Sequence, residues 1–456
     1  MAETCDIAIV GGGFSGLAVL ANLVRSTSGP LNIICVSRDN PGVFGPAYST
    51  PRPEHLLNVR AEGMGLFDDD HAGFHAWAAA QDENIKPGDY LPRRLYAEYL
   101  SAIHENALAA ASHKNMNVRF VRAEVSDIQP RNKLQIITDG PYVDAAGVVL
   151  AIGNTLKARE DAQAQPRLVA DVWNYDYEAL AQARDIQHIA VVGSGLTALD
   201  SIISLLNCGW RGRLTCLSGS ALLPMAHPAA YDKSRLKAAE RAKYVGQRPS
   251  RIMHELRKTA RGADWPYAID SLRSLTQPMW NALSPADRLR VAQKYFNLWN
   301  IHRHRCDSSI RAQADAAIAS GRLAMVRARC TGFQADAAGV DIGLQQGGRQ
   351  TTQRFDLAFK CIGVNYAAAN NPLLTTLLDT GVVKGAGNPY GIAADENFRV
   401  YDGPAGVIHA LGTPLFGQLF ETTAVPELRH QSARVAADII SLRSGLSQSR
   451  AAGAGE

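Results

Sequence analysis

The chain has 456 residues, 46% of them hydrophobic and 20% charged. That length corresponds to roughly three domains at ~150 residues each, and the composition excludes a disordered or acidic-tail protein. Lys plus Arg exceeds Asp plus Glu by only 47 to 43, which implies no nucleic-acid partner, and the 39 glycines lack a collagen period.

Charge is uneven. Residues 233–261 carry ten Lys/Arg against Glu240 and Glu255, so ten minus two gives +8. This stretch reads as a solvated helical face, with an anion-steering rim, a weak membrane or nucleic-acid patch, or a docking surface as alternatives. The seven cysteines form no C-x-x-C pair, which points to reduced thiols and a cytoplasmic protein. No metal site is expected. Residues 1–6 lack the basic region of a signal peptide. Residues 7–24 hold no charge, but three glycines at 11–13 interrupt them, so strand–turn–helix replaces a membrane span.

A strand over 6–10 runs into Gly11-Gly12-Gly13-Phe14-Ser15-Gly16 and a helical pattern to about residue 25. This is G-x-G-x-x-G between strand and helix. Gly11 permits the tight turn, Gly13 the close approach of a pyrophosphate, and Gly16 the packing of helix on strand. The first helical turn, Phe14 and Ser15 included, faces the phosphates. The second strand, over 32–36, ends in Ser37-Arg38-Asp39, where Ser37 or Asp39 replaces the usual ribose-binding acid.

The unit recurs 182 residues later as Gly193-Ser194-Gly195-Leu196-Thr197-Ala198, after a strand over 189–192. Gly193, Gly195, Leu196 and Thr197 are therefore candidates for a second dinucleotide. Apolar strands over 148–152 and 357–362 each close on a glycine, Gly153 and Gly363. Residues 226–318 change to helix-length segments that contain Trp265, Trp280 and Trp299, read as insert core before substrate stack. The fold class is α/β. A discontinuous FAD domain (1–165 and 355–445) encloses an NAD(P)H domain (185–225 and 319–354), which carries a helical insert (226–318). Residues 446–456 are expected to be a flexible tail.

Longer segments carry a family resemblance: Gly45-Pro46-Ala47-Tyr48-Ser49-Thr50, His55-Leu56-Leu57-Asn58-Val59, Trp299-Asn300-Ile301-His302-Arg303-His304-Arg305 and Glu421-Thr422-Thr423-Ala424-Val425-Pro426. They resemble the two-Rossmann flavoprotein family that includes FAD-dependent urate hydroxylases and aspartate N-monooxygenases, from residue 6 to about 440. The resemblance implies FAD, a nicotinamide donor and molecular oxygen, with a C4a-hydroperoxyflavin that hydroxylates a small molecule. It places Asn58 near the isoalloxazine, Val125 against FAD, and Gly412, Thr413 and Thr422 where a helix N-terminus meets the flavin pyrimidine.

Three functions follow as expectations. The first is urate hydroxylation to 5-hydroxyisourate, with Arg303 or Arg305 holding the anionic heterocycle, against the alternative that residues 302–306 are a helix-end salt-bridge cluster that packs the insert. The second is N-hydroxylation of an amino acid or amine. The third, from another class, is an electron-transfer reductase serving a protein partner. The expected donor is NADH, with NADPH as the alternative, because Ser218-Gly219-Ser220 supplies no cation for a 2′-phosphate. The oligomeric state has no sequence signal.

Overall fold

The computed structural model describes residues 3–154, 165–228, 231–236, 239–260, 265–364 and 366–453. Strand β1 (Glu3–Val10) contributes Ile7, Ala8, Ile9 and Val10, all buried. Each fully buried aliphatic side chain of this size stabilises the fold by about 1.5–3 kcal/mol. A strand apolar on both faces belongs inside a parallel sheet. Accordingly, β1 pairs in parallel with β2 (Asn32–Ser37) on one side and β6 (Val143–Leu150) on the other. Beyond β2 lies β3 (Asn117–Arg122), also parallel. The hairpin of β4 (Val125–Pro130) and β5 (Leu134–Thr138) attaches to β6 through β5.

A second sheet repeats this order. Its strands β7 (Leu168–Val169), β8 (His188–Val192), β9 (Arg213–Ser218), β10 (Leu323–Arg327) and β14 (Leu357–Lys360) lie as β10-β9-β8-β14-β7, all parallel. An antiparallel sheet of β11 (Arg329–Ala335), β12 (Val340–Gln346) and β13 (Arg349–Phe355) follows β10, as the β4–β5 hairpin follows β3. The first sheet then regains strands from the far end of the chain. Strand β16 (Gly406–Ala410) runs parallel to β6, and β15 (Arg399–Gly403) edges it.

Two expectations change. Leu357–Lys360, assigned to the returning first domain by the boundary at 355, lies at the heart of the second sheet against β8. It does so because the sheet needs a strand beside β8 where β6 sits beside β1. The helix Val425–Gly453 also continues through the segment expected to be a flexible tail, and 454–456 lie outside the described residues.

The two halves meet through a buried polar joint. The helix Arg93–His113 starts with Arg93 in an ion pair to Asp200, 3.1 Å away on the helix Leu196–Asn207. His55 bridges the same elements, with Nδ1 2.7 Å from Thr50 Oγ1 and Nε2 2.8 Å from Ser204 Oγ. The Ser204 hydroxyl donates to Glu54, which also accepts from Arg52. Burial lowers the affinity of His55 for a proton and raises that of the Asp200 carboxyl.

Candidate functional site: two nucleotide cradles and an aromatic–acidic pocket

The two glycine motifs have nearly superimposable local geometry. Gly11 has φ +112° and Gly193 φ +116°, values that an L side chain rarely adopts. The Gly11 N–H donates to Val36 O and the Gly193 N–H to Leu217 O, both at 2.8 Å. A Cβ on either would lie about 2 Å from a carbonyl oxygen, that of Ala151 or Cys361. Both crevices therefore open at the carboxyl ends of the strands, where the sheet order reverses between β1 and β6 and between β8 and β14.

The next glycines differ from the first. Gly13 precedes the helix Phe14–Ser26 and Gly195 the helix Leu196–Asn207, each with extended backbone. No side chain caps either helix, and neither first turn holds an acid, so both positive ends remain for phosphate. A Cβ on Gly13 would meet nothing closer than Phe44 O at 3.8 Å, and one on Gly195 nothing within 4 Å. Such open space facing a helix end fits a pyrophosphate. Gly16 instead packs on Gly11, and the buried Ala198 takes its place in the second unit.

The first cradle opens on a groove of about 120 Å³ lined by Gly12, Ser37, Asp39, His104, Phe120 and Arg122. Its place beside the glycine turn and its polar rim suit an adenosine moiety, so the residues fit FAD. Ser15 is buried, and the Phe14 N–H donates to Phe44 O at 3.2 Å, which commits it to the fold instead of a phosphate. Val125 begins β4, half-buried, and pairs with Thr138 of β5.

At the other end of this crevice the structure gathers Gly153, Gly412, Thr413 and Thr422. Gly153 and Gly412 both have positive φ, +65° and +77°. The Thr413 hydroxyl donates to Asn154 Oδ1. Thr422 Oγ1 donates to Gly412 O and accepts from Gln431 Nε2, whose Oε1 in turn accepts from Gly412 N–H. This closed circuit fixes the start of the helix Val425–Gly453 beside the ends of β6 and β16. Gln431 carries no motif signal, although its buried position six residues into a helix is typical of a second supporting shell.

Asn58 meets the insert through its main chain. Its carbonyl accepts from His227 Nε2 at 3.1 Å, while His227 Nδ1 accepts from Arg305 Nε at 3.3 Å. Both ring nitrogens are thereby assigned, and the imidazole is neutral. Burial and the neighbouring Arg305 push its pKa down to about 4. Arg305 forms an ion pair with Asp270 at 2.6 Å, and Tyr231 donates to the same carboxylate.

Arg303 turns the other way. It grips Glu421 in a two-pronged contact, Nε to Oε1 at 3.0 Å and Nη2 to Oε2 at 3.2 Å, and Trp299 Nε1 donates to Oε1 at 3.1 Å. Sequence proximity had joined Arg303 and Arg305, but the helix Phe296–Arg303 ends between them. His304, half-buried between them, has its pKa pushed down to about 4 by desolvation first and Arg303 second. Trp280 is buried against Phe420 and donates to Gly417 O, while Trp265 stacks on His302.

Beside Arg303 lies a small pocket of about 20 Å³, walled by Phe296, Trp299, Tyr366, Phe416 and Phe420. Two buried acceptors line it without any hydrogen-bond partner, Asn300 Oδ1 and Glu427 Oε2. Thr422 and Thr423 form a wall shared with the Gly412 circuit. Sequence reasoning singled out two of its segments, residues 299–305 and 421–426, but did not join them into a pocket, since they lie more than a hundred positions apart. Among the described residues, no group of three or more His, Cys, Asp or Glu is placed to hold a metal ion, and no helix is long and apolar enough to cross a membrane. All seven cysteines are free.

Residues 8–155 match the FAD-NAD(P)-binding family model. No curated protein matches the chain in sequence. Among solved structures, ornithine hydroxylase from Pseudomonas aeruginosa aligns over 96% of this chain and 98% of its own, with TM-score 0.65 and 14% identity. L-lysine 6-monooxygenase from Pseudomonas syringae aligns over 95% and 99%, at TM-score 0.61 and 16% identity. Bacillithiol disulfide reductase from Staphylococcus aureus aligns over 96% and 99%, at TM-score 0.56 and 14% identity. The chain thus has the α/β fold of two-Rossmann flavoproteins, with an FAD-NAD(P)-binding unit at 8–155. FAD and a nicotinamide nucleotide are its cofactors.

Proposed function

We propose that the protein is an FAD-dependent, NAD(P)H-consuming monooxygenase that N-hydroxylates an amine held in the aromatic–acidic pocket. The observation that carries this reading is the pair of unpartnered acceptors, Asn300 Oδ1 and Glu427 Oε2, on an aromatic wall. Buried acceptors without donors are costly, at about 1–3 kcal/mol each or more for a charged group, unless a ligand satisfies them. An ammonium supplies three donors and is attracted by ring faces. The names of two fold neighbours, an ornithine hydroxylase and a lysine monooxygenase, agree with an amine substrate.

When bound and reduced by the nicotinamide, FAD supplies activated oxygen. The chain's residues do the rest. Arg303 neutralises Glu421, and Arg273 pairs with Glu427 through Oε1 at 3.2 Å, which leaves Glu427 Oε2 as the carboxylate oxygen free to face the amine. An ammonium must lose a proton before its nitrogen can attack an electrophilic oxygen, and Glu427 Oε2 accepts that proton. Phe296, Trp299, Phe416 and Phe420 exclude water, which limits wasteful release of peroxide. Thr422 and Gln431 hold the shared wall in register with the flavin crevice.

Urate hydroxylation to 5-hydroxyisourate is the competing reading. It needs a cationic grip on the purine oxygens, whereas Arg303 and Arg305 are engaged by Glu421 and Asp270. The deciding experiment follows NADPH oxidation with peroxide counted separately, across ornithine, lysine, aspartate and urate. An amine should couple oxidation to a hydroxylamine product, and Glu427→Gln should raise its KM about tenfold or more. Coupled loss of urate with no amine turnover would overturn the amine assignment.

A further inference from the structure

The internal repeat extends past the glycines to the tips where adenosine riboses are held. Val121-Arg122-Ala123-Glu124 in the first unit recurs as Val326-Arg327-Ala328-Arg329 in the second. Arg122 ends β3 in register with Ser37, and Arg327 ends β10 in register with Ser218. Each arginine donates through Nε to the next carbonyl on the neighbouring tip, Arg38 O or Gly219 O, both at 3.2 Å. Each following alanine N–H donates to the serine carbonyl, Ala123 to Ser37 at 3.0 Å and Ala328 to Ser218 at 2.9 Å.

The backbones agree, but the charges do not. The first tip carries Arg38, Asp39, Arg122 and Glu124, two cations and two carboxylates, with Arg38 paired to Glu124 at 3.4 Å. At the matching places the second tip carries Gly219, Ser220, Arg327 and Arg329, two cations and no carboxylate. Both arginines are exposed, and no ion pair joins either to a carboxylate among the described residues. Gly219 has nothing within 4 Å of where its Cβ would be, so the space that Arg38 fills in the first unit is open in the second.

We infer that Arg327 and Arg329 form a subsite for the 2′-phosphate of NADPH, while the electrically balanced first tip receives the unphosphorylated ribose of FAD. The inference rests on the second cradle holding a nicotinamide nucleotide. Guanidinium groups suit phosphate because they offer paired donors in a rigid plane. It reverses the expectation of NADH. Ser218-Gly219-Ser220 does lack a cation, but one arrives from 108 residues further along the chain through the parallel partner strand. A reading of the residues immediately after β9 could not see it.

The test is calorimetric binding of 2′,5′-ADP and 5′-AMP to the FAD-loaded protein, without turnover. The native protein should bind 2′,5′-ADP about tenfold to a hundredfold tighter, and that margin should shrink as salt rises. Arg327→Ala should remove most of the margin and leave 5′-AMP binding unchanged, with Arg327→Lys restoring part of it. Equal affinity of the native protein for the two nucleotides would overturn the subsite while leaving the cradle intact. Equal loss of both in Arg327→Ala would reduce the arginine to a brace for Gly219. Binding of neither nucleotide to the native protein would instead remove the nicotinamide cradle itself.

Discussion

A methyl group at Gly11 and one at Gly13 meet opposite surroundings, although the residues are two apart. At Gly11 it would overlap Ala151 O at 2.2 Å, on a backbone with φ +112°. At Gly13 it would find ordinary contact at 3.8 Å and then open space. Gly11→Ala should therefore destabilise the fold, by about 1–3 kcal/mol from the backbone conformation alone, with the overlap added. Gly13→Val should keep the melting temperature of the FAD-free protein and lose the flavin. Melting curves and flavin content of the two variants separate the roles. A Gly13→Val protein that remains fully yellow would remove the pyrophosphate from this turn.

At the scale of elements, the polar joint of Arg93 and Asp200 ties the first sheet's helix Arg93–His113 to the second sheet's helix Leu196–Asn207. Both residues are less than a tenth exposed. Removing one partner strands the other charge in the interior, at about 3–5 kcal/mol. Arg93→Met should lower stability by that order in denaturant titration, and adding Asp200→Leu should recover part of it. No recovery in the double variant would mean that Arg93 acts on its own helix and not across the joint.

Elements with a local cause were legible in the sequence. Both glycine turns, their strands and their helices follow from short-range rules, because a positive φ and a close packing contact each demand a particular residue. The position of Leu357–Lys360 beside β8 was not legible, since strand adjacency is decided by the sheet and not by neighbours in the chain. The same holds for Arg303 and Arg305, two residues apart in sequence yet bound to carboxylates at 421 and 270. A cluster that reads as a helix-end salt-bridge cluster or as one anion clamp divides into two separate ion pairs where the helix Phe296–Arg303 ends. The aromatic–acidic pocket and Arg327 lay beyond reach for the same reason, as both come from long-range pairing.

The whole molecule places one nucleotide crevice in each parallel sheet and joins them through a buried network, with the helical insert folded over the first. His227 and Arg303 reach from that insert to Asn58 and Glu421, so the insert touches the Asn58 loop and the Glu421 turn. The account's central claim is that this arrangement delivers one atom of oxygen to an amine. Mass spectrometry of the amine product after turnover with NADPH under heavy-isotope oxygen tests it most directly. The account predicts a hydroxylamine carrying one labelled oxygen atom. Unmodified amine, with all the label recovered as hydrogen peroxide, would contradict it.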